Sequence, residues 1–456
     1  MENDFSKGSV VQHILKLAIP MTLAQFINVL YNIVDRIYIG QLPEDATLAL
    51  TGLGITLPII TLITAFANLF GMGGAPLFSI ARGKNNEKEA EFIMGNAFIL
   101  LVGTALFLTS SILIFKKQLL FLFGASQTTF AYANEYITIY LLGTVFVMIG
   151  LGMNSFINAQ GFGKIGMLTV ILGAVTNIIL DPIFIFGLKM GIKGAAMATV
   201  IAQSVSALWI LKFSTGKKAI LRLKVSAFQL KKERVKQILG LGLSGFIMAV
   251  TNGLVQITCN IVLQSYGGDL YVGIMTVINT IREIVSMPIQ GLTNSTQPVI
   301  GYNYGAKAYR RVKAAIKFMA LSCILYTFAT WGMIHLFPEA FIKLFNQDKA
   351  LIETGTTALQ IYFFGFFMMA LQFAGQTVFV GLGKSKQAVF FSLFRKVIIV
   401  IPLTFLLPSM LNKGVDGVFL AEPISNFIGG SACFITMILI VWPELKTEED
   451  TTSIST

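Results

Sequence analysis

KFSTGKKAILRLKVSAFQLKKERVK, residues 212–236, is the stretch that divides this chain. Nine of its residues are Lys or Arg, so it cannot lie in hydrocarbon. The rest of the chain can: 55% of residues are apolar and 12% charged, with mean hydropathy +0.75. Soluble domains carry about 25% charged residues. Apolar runs of about 20 residues, enough for a helix to cross a bilayer, recur along nearly the full length. Twelve can be placed, at 12–39, 52–80, 92–115, 134–158, 165–187, 194–212, 235–265, 271–297, 314–336, 355–381, 387–408 and 416–442. Six precede the basic stretch and six follow it. The expected fold is an all-α integral membrane protein with twelve transmembrane helices in two parallel six-helix lobes. The N-lobe is expected at 1–212, a basic cytoplasmic linker at 213–234, the C-lobe at 235–442 and a cytoplasmic tail at 443–456. The first run lacks a small-residue cleavage site and exceeds a signal-peptide core, so it reads as a span.

The net charge of +12 would suggest nucleic acid on a soluble protein. Here the distribution decides. With the N-terminus inside, 23 Lys or Arg fall on the inner side, among them Arg82, Lys84, Lys88 and the clusters at 212–236 and 307–317. Seven fall outside (Lys116, Lys117, Lys189, Lys193, Lys343, Lys349, Lys413), and Arg36, Arg282, Arg395 and Lys396 lie within spans. That is the positive-inside pattern, with both termini cytoplasmic. The basic charge implies topology and contact with anionic lipid, and no nucleic acid. Cys259, Cys323 and Cys433 sit in apolar spans without metal-ligand spacing and read as small core residues. His13 and His335 are isolated.

The two halves repeat each other. Pro76 and Gly83 correspond to Pro298 and Gly305 at a shift of 222. AQGFGK at 159–164 aligns with FVGLGK at 379–384 at a shift of 220, which also carries Pro182 to Pro402. GIKGAAMA at 191–198 aligns with GVDGVFLA at 414–421 at a shift of 223. An even number of spans per half makes the repeats parallel, and transporters built this way place substrate near the repeat interface. The two Gly-x-Gly-Lys hairpins lack the spacing of a phosphate-binding loop.

Carboxylates are scarce inside the spans: Asp35, Asp181 and Glu283. A carboxylate in hydrocarbon costs at least ~2.5–3.5 kcal/mol. In TNIILDPIFIFG, 176–187, Asn177 and Asp181 share a helical face, and Pro182 removes a backbone donor and frees carbonyls beside Asp181. Asp181 lies ~25 Å past Lys164 on a straight helix, in the outer half of the bilayer; Thr199 is ~9 Å inward from Lys193, and Asp35 is near the outer end of span one. Two carboxylates, an Asn amide, a Thr hydroxyl and freed carbonyls make an oxygen-rich pocket. Such a pocket suits a hard cation such as Na⁺, and two close carboxylates can equally share a proton. Structural alternatives remain open: Asp35 in an interfacial ion pair, Asp181 as an acceptor holding the proline kink, and Glu283 in an ion pair with a neighbouring helix. FFGFFMMALQFAGQ at 363–376 and the Met-rich span eight could form a soft wall for flat cations, although ordinary packing is the plainer use.

Taken together, VDRIYIG at 34–40, the Asn-x-x-x-Asp-Pro at 177–182, GAAMATVIAQ at 194–203, QP at 297–298 with YNYGA after it, and the two hairpins resemble the bacterial multidrug and toxin extrusion (MATE) family, in its MepA-like branch. The resemblance spans Ile14 to about Trp442. It implies a MATE-like two-lobed exporter that exchanges organic cations and drugs for inward H⁺ or Na⁺ by alternating access in the bacterial cell membrane. It maps cation or proton coupling onto Tyr31, Asp35, Asn177, Asp181 and Thr199, with Asp35, Asn177, Asp181 and Thr199 as ligands if the ion is Na⁺. Span seven holds Asn252, Gln256 and Asn260 where some members carry acids, which places coupling in the first lobe. Glu283, Asp35 and Asn154 are the candidates for substrate contact. Neither a resident cofactor nor an obligate oligomer is implied; the expected partners are small cations and membrane lipid.

The rival within transport is a flippase for a lipid-linked oligosaccharide or cell-wall precursor. Twelve spans and the Asn/Asp/Thr constellation favour antiport. An intramembrane enzyme is not supported, because neither histidine belongs to an H-E-x-x-H motif.

Overall fold

The computed structural model describes residues 4–42, 46–345, 348–410 and 414–445, and these are helical almost throughout. Lys413, counted above as an outer charge, and the tail beyond Leu445 lie outside the described residues. Among the described residues, ten helices are long and apolar enough to cross a bilayer. One, Lys232–Gly305, has 74 residues; at 1.5 Å per residue it would run ~110 Å, several times the ~30 Å of a hydrocarbon core. It breaks at Gly268, whose φ of 69° and ψ of −163° are open essentially to glycine alone. Its two arms, 232–267 and 269–305, are separate spans. Phe130–Leu142 and Thr144–Ala159 form one further span bent by 58°. Twelve spans result. One to six are Val10–Gly40, Ala46–Gly83, Glu87–Leu122, the bent pair, Gly163–Gly187 and Gly191–Thr215. Seven to twelve are 232–267, 269–305, Tyr309–Leu336, Lys349–Gly381, Ser385–Met410 and Val415–Glu444.

The chain forms two compact units. One holds Ile19–Gly242; the other holds Phe5–Ala18 and the chain from Leu243 onward. The boundaries differ from the expected 212 and 235, and hydrogen bonding explains why. The basic stretch is fastened to the first unit. Buried Asn96 donates to the carbonyl of Gln229 at 2.9 Å and accepts from the Lys231 N–H at 3.1 Å. Gln160 accepts from the Leu221 N–H at 3.0 Å. Arg234 makes a two-pronged ion pair with Glu89 at 2.7 and 2.6 Å, the planar geometry that makes such pairs strong. In the second unit Arg311 donates to the carbonyls of Phe5 at 2.8 Å and Gly8 at 2.9 Å, which binds the N-terminal turn there.

Backbone geometry fixes the internal repeat. Asn85 and Lys307 both have left-handed φ, 56° and 57°, and close the same turn: the next residue's N–H reaches back to Ala81 and Asn303 respectively. Gly161 (φ 91°) corresponds to Gly383 (φ 73°), again at a shift of 222, and Gly191 to Gly414 (both φ 54°) at 223. The hairpin alignment at a shift of 220 is therefore corrected. Matching Gly-x-Gly-Lys letters pulled it two residues out of register, and Pro182 corresponds to Thr404 or Phe405 rather than Pro402. Close packing repeats as well. A Cβ on Gly194 would lie 2.7 Å from the Phe184 backbone, and one on its counterpart Gly417 would lie 2.6 Å from the backbone of Pro408.

Candidate functional site

In the first unit, span five carries Asn177 and Asp181 on one face, 1% and 0% exposed. Pro182 ends its regular ladder, and the chain continues as a π-helical turn, Ile183–Gly187. Such a turn leaves carbonyls short of donors, and it recurs at functional sites. Gly194 lets span six approach this turn, which brings Thr199 to Asn177. The Asn177 amide donates to Asp181 Oδ1 at 3.2 Å and lies 3.5 Å from Thr199 Oγ1. Span one supplies Tyr31 and Asp35, one helical turn apart. Asp35 is buried while Arg36 is exposed, so the two do not form a shielded pair. The carboxyl groups of Asp35 and Asp181 lie within hydrogen-bonding reach of each other.

The charges here are unbalanced. Asp35 Oδ1, Asp181 Oδ2 and Asn177 Oδ1 are buried without a hydrogen-bond donor. A buried, unpaired acceptor is costly, and an unpaired anion more so. A proton shared by the two carboxyls, or a hard cation among these oxygens, would satisfy them. No group of three or more His, Cys, Asp or Glu side chains among the described residues is placed to hold a metal ion. Any Na⁺ would therefore rest on two carboxylates plus neutral oxygens.

Tyr136 and Tyr140 are further members that the sequence did not single out. Both are buried and stacked, ring centroids 6.2 Å apart, and Tyr136 is within hydrogen-bonding reach of Thr199. Gln203, one turn beyond Thr199, reaches Tyr31. Spacing of four in YITIY and in TVIAQ was the available signal.

Asn154 lines a cavity of about 90 Å³ together with Tyr31, Asn177, Thr199 and Gln203, room for several waters. It also clamps two spans, its amide donating to the Gly166 carbonyl at 3.4 Å while Oδ1 is left unpartnered. The second unit repeats that clamp at a shift of 222: Gln376 donates to the Ala388 carbonyl at 2.8 Å. A structural role for Asn154 is therefore built in.

The second unit corrects the census of intramembrane acids. Glu422, which the sequence reading passed over, is 4% exposed. It corresponds to Thr199 at the 223 shift. It accepts from Arg395 at 2.9 Å and from Lys396 at 3.2 Å, and Arg282 lies 3.8 Å away. Glu283 is exposed and has no ion pair with a neighbouring helix among the described residues; its neighbour Arg282 faces Glu422 instead. In the 363–376 segment Phe363, Phe366 and Met369 are buried in packing, and Phe364 is exposed. All three cysteines are buried and free.

The MatE family profile matches residues 20–183 and 244–406, one copy in each half. Among curated relatives, the multidrug export protein MepA of Staphylococcus haemolyticus is 25% identical over 428 residues, covering 93% of both chains. MepA of Staphylococcus aureus strain NCTC 8325 is 25% identical over 440 residues, 96% of this chain and 95% of that one. Solved structures share the fold. A MATE transporter in complex with MaD3S superposes with a TM-score of 0.91 at 23% identity, over 98% of this chain and 99% of that one. A MOP superfamily transporter from Pyrococcus furiosus superposes at 0.90, also at 23% identity and the same coverage. Twelve spans, a backbone-level duplication and a family profile matched in both halves place this multi-pass membrane protein in the MATE transporter family.

Proposed function

We propose that the chain is a secondary active antiporter that exports organic cations in exchange for H⁺ or Na⁺ by alternating access. The observation that carries this reading is the Asp35–Asp181 pair, two buried carboxyls facing each other with donor-less oxygens. The inward-moving ion supplies the missing positive charge. Asn177 orients Asp181, Thr199 adds a neutral oxygen, and Tyr31 closes the wall. Binding at this site ties span one to the π-helical turn of span five, and release frees it. Each unit has its own candidate for contact with a cationic substrate: Asp35 and Asn154 in the first, and Glu283, exposed on span eight, in the second. The MepA relatives, named as multidrug export proteins, support the substrate class. The excess of inner Lys and Arg supports both termini being cytoplasmic, and the bacterial MepA relatives support a bacterial cell membrane.

The flippase alternative would need free buried bases for a pyrophosphate. Arg395 and Lys396 are instead bound to Glu422, which favours the antiporter. The test is efflux of ethidium from proteoliposomes under separately imposed Na⁺ and proton gradients. Efflux driven by one gradient, and lost in Asp35→Asn and in Asp181→Asn, is expected. Gradient-driven efflux that survives both substitutions would refute the coupling site. Absence of gradient-driven efflux in the wild type would return the choice to the flippase.

A further inference from the structure

The second unit gathers three basic side chains around one carboxylate; two of them, Arg395 and Lys396, are buried, and the third, Arg282, is 26% exposed. Glu422 faces Arg395 and Lys396, which are 7% and 4% exposed, and Arg282 at 3.8 Å. Arginine does not give up its proton in a protein. Arg282 and Arg395 alone thus exceed the single carboxylate, whatever the state of Lys396. The other neighbours add no negative charge. Asn426 Oδ1 takes a second hydrogen bond from Arg395 at 2.6 Å. Asn252, Gln256, Cys259, Asn279 and Tyr362 complete the wall. Glu283, next to Arg282 in sequence, is exposed. Arg395 and Lys396 share their one buried carboxylate, and like charges gathered this closely are costly unless a counter-charge is near. One more negative group would reduce that surplus.

Space for it exists. A cavity of about 10 Å³ lies between Arg282, Lys396, Glu422, Tyr362 and the amides of spans seven and eight. That is the size for a single water-sized guest. A monatomic guest is of that order of size, whereas a pyrophosphate is not. The Glu422 oxygens share the wall but are held by Arg395 and Lys396, so the side facing Arg282 is the electropositive one.

We propose that the second unit holds a small resident monovalent anion, a halide such as chloride, between Arg282, Lys396 and the Asn252, Gln256 and Asn279 amides. The site requires no gradient and no drug, so it stands or falls separately from the antiport mechanism. It offsets part of the second lobe's positive surplus and leaves cation coupling to the first.

Radiolabelled chloride binding to the purified full-length protein, with gluconate balancing the ionic strength, tests it. Saturable binding of about one chloride per chain is expected, with bromide competing. Arg282→Gln removes one charged donor without touching the hydrogen bonds of Glu422, and binding should weaken by about tenfold or more. Glu422→Gln removes the resident negative charge. That variant should bind chloride more tightly, and its thermal stability should depend on chloride. No saturable binding, or equal binding by wild type and Arg282→Gln, overturns the proposal. So does a Glu422→Gln variant destabilised equally in chloride and gluconate. Acetate competing as well as bromide would assign the site to a carboxylate and overturn the halide.

Discussion

Thr199 and Glu422 hold the same place in the two halves, and the polar clusters built around them differ in sign. In the first unit two acids face each other and no base answers them: Asp35 and Asp181 leave oxygens without donors. In the second, one acid is surrounded by Arg395, Lys396 and Arg282. Duplication has kept the location of buried polarity, at the spans five–six and eleven–twelve junctions, and has not kept its charge. Burial of charge in a bilayer is costly in either sign. The first cluster lacks a cation, and the proposed coupling ion would supply it. The second already has its cations, supplied permanently by side chains. This difference is what makes the first unit the candidate for ion coupling.

The largest expected effect probes the acid-rich side. Asp181→Asn should lower gradient-driven efflux of a cationic dye by about 10- to 100-fold, the weight of a lost charged ligand, measured as initial rate in proteoliposomes. Glu422→Gln probes the base-rich side. It should cost about 3–5 kcal/mol of stability, because it leaves buried cations unpaired, read from unfolding of the purified protein. Its folded fraction should keep the wild-type choice of coupling ion. Gly194→Ala and Gly417→Ala test whether the two junctions are packed alike. Each should cost about 1–3 kcal/mol by overpacking against backbone, and a large effect at one with none at the other would break the equivalence of the halves. Glu283→Gln should have the smallest effect: a raised half-saturating concentration for a cationic drug, with ion coupling unchanged.

Much of this was written in the sequence. Apolar runs gave the spans because hydrocarbon length is a hard constraint, and Asn177 and Asp181 announced a shared face by their spacing. The rest depended on geometry that spacing does not carry. Glu422 looked like one letter in an apolar run, and its partners Arg395 and Lys396 come from another span. Repeated glycines misplaced the hairpin by two residues, and only the left-handed backbone at Gly161 and Gly383 restores the register. The basic stretch read as a linker by composition. Its docking on Asn96 and Gln160 is made by backbone groups, which every sequence possesses. Tyr136 and Tyr140 have no sequence signal beyond their spacing, because only the fold brings Tyr136 within reach of Thr199.

If the acid pair of the first unit holds the coupling ion, binding of drug should release it. The most direct measurement is ion release per chain when a cationic drug is added to the purified protein, followed by a pH indicator for H⁺ and by displacement of labelled Na⁺. Release of one of these ions by wild type and by Glu422→Gln, and its loss in Asp35→Asn and Asp181→Asn, is the predicted result. Undiminished release from both Asp variants would contradict it.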